Sequence, residues 1–119
     1  MYVARADGLF LYEAKPHRLV RVSDDDVRGL TSGQEFAKVA AVTLIYVADL
    51  SRMKDTSEAD GRLYAAFDAG CITQNVYLYC ASAGLGSVVH DLDRGPLSAK
   101  LPLREKQHIV MAQAVGVPK

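Results

Sequence analysis

Two carboxamides, Gln74 and Asn75, stand side by side in the otherwise apolar run "GCITQNVYLYCASAGLGSVV" at 70–89, which then closes on Gly84-Leu85-Gly86. Burying an amide costs free energy unless its donors and acceptors find partners, so this pair is expected to be buried and bonded to neighbouring main chain. Gly84-Leu85-Gly86 is only a fragment of a dinucleotide fingerprint. Position 89 is valine, and the glycines follow a helical pattern instead of opening one after a strand, so a Rossmann site is excluded. Gly84 reads as a helix C-cap, which leaves Gly86 free to let a flat ligand approach the main chain.

The remaining reactive side chains do not assemble into a familiar centre. His90, Asp91 and Asp93 supply too few convergent ligands for a metal, and no second histidine lies nearby in sequence. Ser82 is flanked by Ala81 and Ala83 and lacks the glycines of a nucleophile elbow. Cys71 and Cys80, nine positions apart on a helix, face opposite sides roughly 13 Å apart along the axis and cannot pair; they are expected to be buried thiols packing as small apolar groups. His17 and His108 read as surface or strand residues. No metal site and no catalytic side chain are identified.

These residues must be positioned by a chain of 119 residues, within the range of one domain and long enough to bury roughly two thirds of its unfolded surface. Half of the residues are apolar and 24% are charged, the balance of a soluble globular protein. Lysine plus arginine equals aspartate plus glutamate at 14 each, so no net field attracts nucleic acid or an anionic membrane. The start, "MYVARADG", carries Arg5 and Asp7 where a secretory signal needs an apolar stretch, and the longest apolar run is too short to span a bilayer. A cytoplasmic location is expected.

Residues 7–22 read as a hairpin turning through Glu13-Ala14-Lys15-Pro16-His17. Asp24-Asp25-Asp26 suit the positive end of a short helix. The β-branched run 39–50 suits a central strand covered on both faces, and 51–61 a surface connection. From Glu58 to Ala83 one long helix is expected, capped by Ser57 and ended at Gly84. Leu63, Phe67, Gly70, Cys71, Val76, Leu78 and Tyr79 go round much of its circumference, so it is expected to be enclosed by protein, with Gly70 where another backbone, such as a subunit's, comes close. A brief strand at Ser87-Val88-Val89, a short helix opening at Pro96 and a buried strand at 107–115 complete an α+β fold, with residues 1–119 as a single domain.

Three blocks, Gly70-Cys71-Ile72-Thr73-Gln74-Asn75-Val76-Tyr77-Leu78, Ala81-Ser82-Ala83-Gly84-Leu85-Gly86-Ser87-Val88-Val89 and Gln113-Ala114-Val115-Gly116-Val117-Pro118, resemble in order and spacing the C-terminal half of the FMN-dependent nitroreductase family. The front part, "DGLFLYEAKPHRLVRV" followed by 24–28, is similar to the branch that includes peptide thiazoline and oxazoline dehydrogenases. The resemblance implies a half-domain with a mixed sheet packed on one long buried helix, in an interlocked homodimer or with a complementary N-terminal chain. It implies that Ser87, Val88, Val89 and His90 pass along the flavin ring, and that NAD(P)H delivers hydride through FMN to a small-molecule acceptor. It also implies a truncated domain: the family's arginine-rich, phosphate-binding N-terminal segment has no counterpart here, Lys119 is the one candidate charge for the phosphate, and 90–94 is about a residue short. FMN affinity is therefore expected to be weak. The alternative is a noncatalytic domain that self-associates or binds a related subunit; a small module using the same cleft for another planar molecule is a third reading.

Overall fold

Short alternating segments rich in valine, leucine, isoleucine and tyrosine build one sheet, because each can bury a face while its backbone groups pair laterally. The structure is a computed structural model and describes residues 1–118; Lys119 lies outside the described residues. The strands are β1 (Tyr2–Arg5), β2 (Gly8–Glu13), β3 (Arg18–Ser23), β4 (Val42–Asp49), β5 (Gly86–His90) and β6 (Gln107–Gly116), and the helices α1 (Glu35–Val39), α2 (Glu58–Ala83) and α3 (Arg94–Ser98). The sheet order is β3-β2-β1-β4-β6-β5. Every pairing is antiparallel, so the α+β fold is present but its sheet is not mixed in direction.

The hairpin falls at β2 and β3, with His17 in a left-handed conformation at the turn. Pairing of β1 with both β2 and β4 adds a strand that the opening residues did not suggest. The central strand β4 starts at Val42 rather than Val39, since the preceding three residues end α1 and turn. Asp26 precedes a single 3-10 turn, Arg28–Leu30, and its carboxylate accepts from the Arg28 N–H and is paired with the Arg28 guanidinium at 2.7 Å. That pair holds the Asp26 carboxyl below the usual carboxylate range.

One face of the sheet carries Tyr2, Ala4, Ile45 and Ala112, packed beneath Val27, Leu97 of α3, and Leu92 and Leu101 on either side of that helix. Leu9 and Ile45 are wholly buried there and are worth roughly 1.5–3 kcal/mol each. The other face, with Tyr46 and Gln113, lies against α2. Where β6 bulges opposite Tyr46 and Val47, the Arg94 guanidinium donates to the carbonyls of Ile109 at 3.0 Å and Val110 at 2.7 Å. Helix α3 opens at Arg94 rather than Pro96, because the Asp93 carboxylate accepts from the Gly95 N–H at 3.0 Å and caps it two residues earlier.

Helix α2 runs over the predicted span: Ser57 Oγ accepts from the Asp60 N–H at 3.1 Å, and Gly84 ends it at φ 69°. Its environment departs from expectation. Only Gly61, Ala65, Ala69, Thr73 and Cys80 are buried, while Tyr64, Phe67, Leu78 and Tyr79 are more than half exposed. The helix is thus not enclosed by its own chain. Gln74 and Asn75 are exposed rather than buried, Cys71 is exposed while Cys80 is buried, and a Cβ on Gly70 would meet none of the described residues within 4 Å. The physical reason is that α2 covers only one face of the sheet, so the sheet shields one flank and leaves the rest open.

Candidate functional site

Strand β5 is the sheet's last strand, and the positions expected to bind a ligand follow one another along it. Gly84 turns the chain out of α2, and the Leu85 N–H donates back to the Cys80 carbonyl at 2.8 Å, so β5 begins one residue later and runs against β6 in the register Gly86↔Gly116 to His90↔Ala112. The Val89 N–H donates to the Tyr77 hydroxyl at 2.7 Å. It therefore points away from β6, and by the two-residue period of a strand the Ser87 N–H points the same way.

The four positions divide between two hollows. Ser87 and Val88 line a groove of about 840 Å³ whose walls are Phe36, Val39, Ala40, Val117 and Pro118. Val89 and His90 line a smaller hollow of about 290 Å³ with Leu92, Arg94 and Met111. The side chain of Val88 is 42% exposed, whereas the Ser87 hydroxyl is already engaged, donating to the Ala114 carbonyl at 3.0 Å. His90 is buried, with its ring edge-on to Phe36 at 5.4 Å between centroids; Nδ1 lies 3.1 Å from the Asp91 carbonyl, and Nε2 has no hydrogen-bond partner among the described residues. The space expected beside Gly86 is filled from within, because a Cβ there would touch Pro118 at 3.5 Å.

Sequence reasoning placed the buried amide on the wrong element. It is Gln113, fully buried: its Oε1 accepts from the Tyr46 hydroxyl at 2.7 Å, and its Nε2 donates to Ser87 Oγ at 2.9 Å and to the Thr73 carbonyl at 3.2 Å. Burial, with the nearby Cys80 and Tyr77 adding to it, pushes the Tyr46 phenol up to about 12, so it is a hydrogen-bond donor at neutral pH. A lone polar residue amid "IVMAQAVGV" was the available signal.

A flavin nucleotide would ask two things of this surface, a flat apolar slot and a cationic end. The larger groove meets the first with Phe36, Val39, Val88 and Val117, and its volume lies within the roughly 300–1,000 Å³ of cofactor sites. It does not meet the second: among the described residues no cation lines it, and Glu35 does. The fit therefore extends to the ring system and not to the phosphate. Among the described residues no three metal-ligating side chains converge, and no helix is long and apolar enough to cross a membrane.

A putative nitroreductase of Methanocaldococcus jannaschii is 31% identical over 86 residues, which make up 69% of this chain and 43% of that protein. The crystal structure of a putative nitroreductase from Ralstonia eutropha JMP134 superposes with a TM-score of 0.90 at 35% identity, over 99% of this chain and 57% of that one. A second, from Anabaena variabilis ATCC 29413, superposes at 0.84 over 99% of this chain and 26% of its own, and at 19% identity it speaks to the fold alone. The chain thus spans about half the length of these first two relatives. The model of the nitroreductase family matches residues 4–117, from β1 through the end of β6, and with it the chain belongs to the nitroreductase family.

Proposed function

We propose that this chain is a component of an FMN-dependent oxidoreductase that carries hydride from NAD(P)H to a small-molecule acceptor. The observation that carries this reading is the apolar groove along β5, in a chain whose family is defined over nearly its whole length. Bound flavin would supply the hydride-accepting and hydride-donating chemistry. The chain's own contribution is to bind and to exclude water. Phe36, Val39 and Val88 wall the slot, and Ser87 lines it with a backbone N–H directed away from β6. Val89 has its N–H engaged by Tyr77, and His90 offers an imidazole beneath Phe36. A second copy, or a complementary N-terminal chain, would cover the exposed side chains of α2 and supply cations for the phosphate, with Lys119 as this chain's own.

The test is an FMN titration of the purified chain, alone and with candidate N-terminal chains, followed by flavin fluorescence and by bleaching with NADH or NADPH. Saturable binding and bleaching are expected; no binding in any mixture rejects the reading. The groove's Glu35 and its lack of a described cation favour a second reading, a noncatalytic domain that associates through α2. Sedimentation would then show a dimer without flavin, and a flavin-loaded, NADH-oxidising preparation would rule it out.

A further inference from the structure

Gln113 joins three elements at one buried point. Its carbonyl oxygen accepts from Tyr46 on β4, and its two amide protons go to the Thr73 carbonyl on α2 and the Ser87 hydroxyl on β5. The Ser87 hydroxyl passes its own proton to the Ala114 carbonyl, so both amide donors and the serine donor are spent. The opposite amide orientation would set two carbonyl oxygens against each other at Thr73, which fixes the direction of every bond. One helical turn further on, the Tyr77 hydroxyl accepts from the Val89 N–H.

We propose that Gln113 is a positioning residue that couples α2 to the groove-lining strand: it touches no ligand, yet ligand binding along β5 depends on it. The proposal rests on the flavin reading for the identity of the ligand, but not for the coupling itself. Because the exposed flank of the same helix carries Phe67, Leu78 and Tyr79, anything packed there acts on the groove through the Gln113 link.

The experiment is amide hydrogen exchange on the full flavin-free chain, comparing Gln113→Met, Ser87→Ala and Tyr46→Phe. The first two cut the link from either end, and the second serves if the first fails to fold; the third loosens the far end of the Gln113 side chain while leaving both of its donors. Exchange across 86–90 is expected to quicken about tenfold in Gln113→Met and Ser87→Ala, with the β1–β2 hairpin changing less than about twofold. In Tyr46→Phe the 86–90 segment is expected to stay within about twofold of the parent. Uniform acceleration across the sheet, no acceleration at 86–90, or the same local pattern in Tyr46→Phe would overturn the proposal. In parallel FMN titrations the dissociation constant should rise about tenfold in the first two variants only. If the parent chain fails to bind FMN both alone and with candidate N-terminal chains, the flavin reading fails, while the exchange result still decides the coupling.

Discussion

The flank of α2 turned to the sheet carries Gly61, Ala65, Ala69, Thr73 and Cys80, whereas the flanks turned away carry Leu63, Tyr64, Phe67, Leu78 and Tyr79, each more than half exposed. Size is distributed in reverse of an ordinary amphipathic helix, in which the large apolar side chains face the chain's own core. Small residues toward the sheet let the helix axis approach closely enough for its carbonyl and hydroxyl groups to reach Gln113 and Val89. Large apolar side chains left exposed on the far side are of the kind that mark an association surface. The close flank specifies geometry within the chain, and the far flank holds most of the helix's unspent burial energy.

The largest effect that would break this contrast is expected on the close flank. Ala69→Leu forces extra volume between α2 and the sheet and should lower stability by about 1–3 kcal/mol in urea denaturation. A neutral result would mean the layer is loosely packed. On the far flank, Phe67→Ser should leave the stability of the lone chain within about 0.5 kcal/mol but weaken self-association about tenfold in sedimentation. Ser57→Ala removes the oxygen that caps the helix and should cost about 1 kcal/mol, equally with or without association. Gly70→Ala faces open space and should stabilise the lone chain by about 0.5–1 kcal/mol. If it abolishes self-association instead, a second backbone sits there.

The smallest effect lies away from the helix, at Asp49. Hydrogen bonds from Ser51, then Arg104 and Gln107, hold its carboxyl down to about 2. A carboxylate lowered on folding stabilises the fold above the ordinary aspartate range near pH 4 and loses that contribution as pH falls through about 2. Asp49→Asn should therefore flatten the acid limb of the stability curve between roughly pH 4 and 2, read from urea midpoints at successive pH values.

Local rules read well where the neighbours are in sequence. The span of α2, its Ser57 cap and the left-handed Gly84 follow from side-chain oxygens and a missing Cβ acting within a few residues. The hairpin of β2 and β3 follows from polar turn residues between β-prone runs. The reading went astray where the outcome depended on distant chain. Pro96 was expected to open α3, but Asp93 captures the Gly95 amide first. The run 39–50 gave no sign that α1 would claim its first residue, nor did 1–6 announce a strand, because both are decided by pairing across the sheet.

The same division holds at the candidate site. Composition and pattern by themselves determined an α+β chain, one long helix ending in a glycine turn, and a short strand following it, since these rest on periodicity and on contacts a few residues apart. Only the tertiary structure decided which amide is buried. Gln74 and Asn75 lie in an apolar helical run yet face outward, and Gln113 is enclosed because β4, β5 and α2 converge on it from 67, 26 and 40 residues away. Burial is a property of what packs against a residue, and a helix that meets one sheet face leaves its other flanks to whatever molecule comes next.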